Sequence, residues 1–134
     1  MRIAVCVDNS FGMMFNNRRQ SKDRILIEDF VRNANGADIF IHPYSISLFS
    51  GHVVVIDERF LELAPYNSCC FVENMPLLQY EDRIEELTVY KWNRDYPAST
   101  YFDIDLSEWE LTSSIDFKGS SHERITREQY IKKN

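Results

Sequence analysis

Apolar residues along this chain fall in short runs broken by polar turns, and their spacing predicts most of the elements. "RIAVCV" (2–7) is a β-branched run ended by Asp8-Asn9-Ser10, the pattern of a buried strand. Ser21 is placed to cap a helix through "KDRILIEDFVRNA" (22–34), with Ile25, Leu26, Phe30 and Val31 on its apolar face and Asn35-Gly36 as its stop. "ADIFIH" (37–42) reads as a strand, and after Pro43 "YSISLF" (44–49) suits a short helix. "HVVVID" (52–57) is a further strand and "ERFLELA" (58–64) a short helix. "SCCFVEN" (68–74) reads as a strand, and "PLLQYEDRIEE" (76–86) as a helix with Pro76 in its first turn. "LTVYKWN" (87–93) and "WELTSSIDF" (109–117) read as strands. A polar turn from residue 119 leads to Thr126-x-x-Gln129, which resembles a capping box and predicts a C-terminal helix or tail over 119–134. Strands alternating with short helices imply an α/β sheet with a mostly parallel centre. The late strands have no helix between them and imply an antiparallel edge. No repeat, linker or low-complexity segment divides the chain, so one domain over 1–134 is expected.

Composition narrows the function classes. The 134 residues are 44% hydrophobic, enough for one packed core. A net charge of −6 argues against general nucleic-acid binding, which needs a broad basic face. Three cysteines, two of them adjacent, do not make a disulfide framework. The first apolar run is too short for a secretion signal, and no later run is long enough to span a bilayer. These features point to a reduced, cytoplasmic setting without membrane contact.

The one basic concentration lies in "NSFGMMFNNRRQSKDR" (9–24). Arg18, Arg19, Lys22 and Arg24 flank the expected helix start, where free N–H groups favour an anion, and Asn16 and Asn17 add amides. The functional reading is a clamp for an anionic ligand; the plain reading is a solvated loop. In "HPYSISLF", His42, Tyr44, Ser45 and Ser47 follow a strand, where open α/β sheets bind ligands, although Ser45 also suits a cap. Glu73 and Asn74 point toward the same crevice and suit a base or ribose edge; Asn74 equally suits a helix cap before Pro76. Trp92, Tyr96, Tyr101, Phe102 and Trp109 form a dense aromatic stretch that reads as core or dimer contact before it reads as a stacking surface. Asp103 and Asp105 share a face of an extended segment but lack further ligands for a metal. Ser120, Ser121 and His122 are neighbours in sequence, and a catalytic triad is recognised by geometry instead, so they read as a polar turn. Cys69-Cys70 has no basic neighbour to activate a thiol.

Several of these segments together resemble the dihydrofolate reductase family. "DNSFGMMFN" resembles its mobile loop, with Gly12-Met13 in place, which brings Met13 among the ligand-facing residues. "DFVRNANGADIFI" resembles the end of its first helix and its second strand, and "HPYSISLF" its phosphate-facing second helix. "CFVENMPLLQYEDRIEELTVYKW" and "STYFDIDLSEWELTSS" resemble its glycine-motif region and its Thr-x-Phe-Pro…Trp segment. The resemblance covers most of residues 2–117 and implies a three-layer mixed sheet flanked by short helices. The departures fall on the chemistry. Val72, Glu73 and Asn74 occupy the family's Gly-Gly turn, Leu26 falls where its helix carries the catalytic acid with Asp23 one turn earlier, and the loop Trp is missing. The chain also resembles small bacterial proteins labelled ribonuclease Z, but only His42, His52 and His122 are present, against that family's clustered zinc ligands. The resulting expectation is a non-catalytic binder of a small anionic, nucleotide-like ligand, with no cofactor. The alternatives are a diverged NAD(P)H-dependent reductase, a nucleotide hydrolase, or a homo-oligomeric interaction module.

Overall fold

The computed structural model describes residues 1–133; Asn134, the end of the expected tail, lies outside the described residues. In chain order the strands are β1 (Arg2–Val7), β2 (Gly12–Phe15), β3 (Arg18–Arg19), β4 (Ile39–Ile41), β5 (Val55–Ile56), β6 (Cys69–Phe71), β7 (Glu86–Lys91), β8 (Thr100–Tyr101), β9 (Trp109–Phe117) and β10 (Ile125–Lys132). The α-helices are α1 (Arg24–Ala34) and the single turn α2 (Phe60–Leu63). Seven strands form one sheet in the order β5-β4-β6-β1-β7-β10-β9. The run from β5 to β7 is parallel, and β10 and β9 add an antiparallel edge. A small antiparallel sheet, β3-β2-β8, stands beside it.

Period-2 alternation in β1 sends Ile3, Val5 and Val7 to one face and Ala4 and Cys6 to the other. One face packs against Phe60, Leu61, Phe102 and Trp109; the other takes Leu26, Ile27 and Phe30 of α1 with Phe49, Phe71 and Trp92. Trp92, Phe102 and Trp109 are thus core residues, whereas Tyr101 is exposed.

Three expected elements and one expected cap are corrected. The C-terminal segment is the strand β10, not a helix: Ile125, Thr126 and Arg127 are buried between β7 and β9, and tertiary pairing overrides the capping-box pattern. The helix expected over 76–86 is a 3₁₀ segment, Leu78–Arg83, bounded by Leu77 and Ile84, which are drawn fully into the core and end the helical span on both sides. Asn74 does not cap it; Asp103 does, accepting from the N–H groups of Leu77 (2.9 Å) and Leu78 (3.1 Å). The segment resembling a mobile loop is a hairpin. Asn16 (φ 50°) and Asn17 (φ 63°) form its two-residue turn between β2 and β3, which is why an Asn pair sits there: Asn tolerates the left-handed conformation that such turns need.

Candidate functional site

The carboxyl ends of β1 and β6 meet the start of α1 around a small hollow. The helix cap there is Asp23, not Ser21. Its carboxylate accepts from the N–H of Ile25 (3.0 Å) and Leu26 (3.2 Å), and from the N–H of Ser120 (2.9 Å) and Ser121 (2.8 Å) across the molecule. His122 Nδ1 completes the set at 2.9 Å. A carboxylate only accepts, so Nδ1 carries the proton. Burial pushes the Asp23 carboxyl up, but the hydrogen bonds from His122, Ser121, Ser120 and Leu26 outweigh it and hold the group well below the usual carboxylate range. Gly119 is required by this arrangement: a Cβ there would collide with the Asp23 carboxylate, lying 2.7 Å from its Cγ. The remaining helix-start donor is also used, since Arg24 N–H donates to Ser120 Oγ at 3.0 Å. The free N–H groups expected as an anion site are therefore already satisfied, and any anion there must be held by side chains.

At the centre of the crevice the basic segment is turned inward. Arg19 forms a two-pronged ion pair with Glu73, at 2.8 and 3.0 Å, stacks over the Tyr44 ring at 4.7 Å, and donates from its backbone N–H to the Tyr44 hydroxyl at 2.8 Å. Ser45 Oγ donates to the same Glu73 carboxylate at 2.7 Å, so Ser45 is a buried Glu73 partner and not the cap of its own 3₁₀ segment (Pro43–Phe49). That cap is His42, whose Nδ1 accepts from the Tyr44 N–H at 3.0 Å. The hollow lined by Met13, Arg19, Ser21, Lys22, Leu26 and Glu73 has a volume of only about 20 Å³, room for one water. Leu26 fills its place there as a core side chain, 1% exposed.

An adjoining cleft is open. It lies between the start of α1 and the 3₁₀ segment Pro43–Phe49, has a volume of about 400 Å³, and shares Lys22, Asp23, Ile27 and Leu48 with the central hollow. Lys22 and Arg24 stand on its rim with His52; Ser47, Ser50, Ser120 and Ser121 supply hydroxyls; Glu28 is the facing acid and pairs with Arg24 at 3.2 Å. A third hollow, about 550 Å³, lies behind the hairpin and is lined by Asn16, Arg18 and Arg19 with Tyr96. Of the residues singled out from sequence, Met13, Asn16, Arg18, Arg19, Lys22, Arg24, Ser47 and Glu73 are spread over these three hollows, whereas Asn17, His42, Tyr44, Ser45 and Asn74 line none of them. Lys22, Arg24 and Ser47 meet in one cleft, Arg19, Tyr44, Ser45 and Glu73 bind one another, and Asn17 is an exposed turn residue. Asn74 lies beside Glu73 with its buried Oδ1 bonded to no protein group among the described residues. Sequence reasoning named Asp23 only as a stand-in for a helix acid and missed its role as the cap, and it missed Gly119 and His52 as parts of this region.

Other chemistries lose support. Among the described residues no group of three or more His, Cys, Asp or Glu is placed to hold a metal ion. Asp103 and Asp105 act as caps. The cysteines are free, and burial pushes the Cys70 thiol up to about 12 and that of Cys6 well above its ordinary value, against any thiolate role. No described helix is long and apolar enough to cross a membrane.

No protein-family model matches the sequence, and neither does any curated protein. Solved structures do match in shape. The dihydrofolate reductase of Enterococcus faecalis, in its complex with NADP(H) and RAB-propyl, superposes with a TM-score of 0.71 over 100% of this chain and 97% of its own, at 10% sequence identity. At that identity the likeness speaks for architecture and not for chemistry. Glu73, where the sequence resemblance would put a glycine turn, carries a carboxylate held by Arg19 and Ser45, and that residue does not fit a dinucleotide pyrophosphate. The chain has a dihydrofolate reductase-like fold, with a mostly parallel seven-stranded sheet, an antiparallel edge and short flanking helices.

Proposed function

We propose that this protein binds a small anionic ligand of nucleotide-like size in the open cleft at the start of α1, without hydride transfer. One observation carries the reading: a cleft of about 400 Å³ with Lys22 and Arg24 on its rim and four serines along its wall. The volume is within the range of small-molecule sites, roughly 300–1,000 Å³. Lys22 and Arg24 are exposed cations, and Glu28 on the same rim is engaged by Arg24 through a solvent-exposed pair that a phosphate or carboxylate can displace. The likeness to a reductase solved with NADP(H) supports the ligand class. Two features speak against a diverged reductase: the glycine turn carries a bound Glu73 carboxylate, and position 26 carries a buried Leu. The test is thermal stabilisation by a panel of mononucleotides and dinucleotides. The wild type should be stabilised by at least one anionic member, and Lys22→Ala with Arg24→Ala should lose that shift while keeping its ligand-free melting temperature. A shift that survives the double substitution would place the ligand elsewhere.

A further inference from the structure

The Asp23–His122 pair has a third member. His122 Nε2 lies 2.9 Å from Ser21 Oγ, while Nδ1 faces Asp23 Oδ2 at the same distance. With its proton on Nδ1, facing the carboxylate acceptor, the imidazole presents Nε2 as an acceptor; the Ser21 hydroxyl donates to it at 2.9 Å and the Tyr96 hydroxyl lies farther off at 3.4 Å. This is the hydroxyl–imidazole–carboxylate order of a nucleophilic serine, assembled from residues about a hundred positions apart. The imidazole is fixed as such a base requires. Its side chain is 4% exposed, it stacks on Trp92 at 4.5 Å between ring centres, and the carboxylate behind it is ionised and fully hydrogen-bonded. Ser21 is not sealed off with it. It is half-buried and lines the water-sized hollow that adjoins the open cleft through Lys22, Asp23, Ile27 and Leu48. A plain helix cap needs none of this, because Asp23 already caps α1 and Ser21 contributes nothing to the cap.

We infer that Ser21 is a nucleophile activated by His122 and Asp23, acting on a carboxylic ester that has a short acyl group and an anionic alcohol part. The small hollow limits the acyl group, and Lys22 and Arg24 receive the anionic part in the cleft. Ser21 Oγ attacks the carbonyl carbon and its proton passes to His122 Nε2. The ester C–O bond breaks, and the leaving alkoxide takes that proton and departs as the alcohol, leaving acyl-Ser21. Water then attacks the acyl carbon, gives its proton to Nε2, and the carboxylic acid leaves as the proton returns to Ser21 Oγ. No oxidant, metal or cofactor enters the balance. The inference stands on the Ser21–His122–Asp23 geometry; only the anionic alcohol part rests on the ligand proposal above.

The experiment uses a fluorophosphonate probe on the intact protein, read by mass. Attack by Ser21 forms the O–P bond and expels fluoride, adding one label that maps to Ser21. Ser21→Ala should add none while melting at nearly the wild-type temperature, and His122→Gln should label at least about 100-fold more slowly, in line with the loss of a triad base. Should His122→Gln fail to fold, Ser21→Cys carries the same question: its alkylation by iodoacetamide should already be fast at pH 6, as for a thiol beside an imidazole. Lack of labelling, a label on another residue, or a Ser21→Cys thiol that reacts only above pH 8 would overturn the inference. Nucleotide stabilisation that survives in the Lys22/Arg24 variant, with Ser21 labelling intact, would refute only the anionic part.

Discussion

Two hollows share a wall in this protein and have opposite characters. In the central one Arg19 and Glu73 satisfy each other and leave space for a single water. In the neighbouring cleft Lys22 and Arg24 have only an exposed acid for company, and the space is about twenty times larger. Both hollows are lined by the same basic stretch of sequence. The difference is burial: a charge turned inward must be paired, and its pairing makes it structural, whereas a charge left on a rim remains free for a ligand.

Substitutions can break this comparison in a graded way. The largest effect is expected at Asp23, which lines both hollows. Asp23→Ala leaves the backbone N–H groups of Ser120, Ser121 and Leu26 without their acceptor and should lower stability in urea by about 3 kcal/mol or more. Next comes Glu73→Ala in the sealed hollow. It strips Arg19 and Ser45 of their shared partner and should lower stability by about 2 kcal/mol, with partial recovery when Arg19→Ala is added. Gly119→Ala should cost a similar amount, because the added Cβ pushes on the Asp23 carboxylate and on Ile125. The smallest effect is expected on the rim, where Lys22→Ala with Arg24→Ala should stay within about 0.5 kcal/mol of the wild type in the absence of ligand.

Acid should reveal the same division. The Asp23 carboxyl is held below its ordinary value of 3.8 in the folded state, so its contribution to stability is complete above that pH. It is lost as pH falls through the lower folded value. Urea midpoints should therefore decline below about pH 4, and Asp23→Asn should flatten that decline.

Much of the sheet was legible in the chain because β1 is a short continuous apolar run and β7 alternates apolar and polar positions. The C-terminal strand was not. Arg127 occupies an inward position that alternation expects to be apolar, and it is accommodated only because Asp29 of α1 accepts from it at 2.7 Å. The basic loop was recognised as unusual, but sequence could not tell which of its cations turn inward. Arg18 and Arg19 are adjacent, yet only Arg19 meets Glu73, a residue 54 positions away. Ser21 and Asp23 stood in plain view; His122 joined them only through the return of the chain past β9, a placement that no local signal encodes.

The most direct test of the open cleft as the ligand site is mass spectrometry of small molecules released by heating the purified protein, run in parallel on the wild type and on the Lys22→Ala, Arg24→Ala variant. The account predicts an anionic, nucleotide-sized molecule released from the wild type and missing from the variant. Equal release from both proteins, or a wild type that carries only neutral molecules, would contradict it.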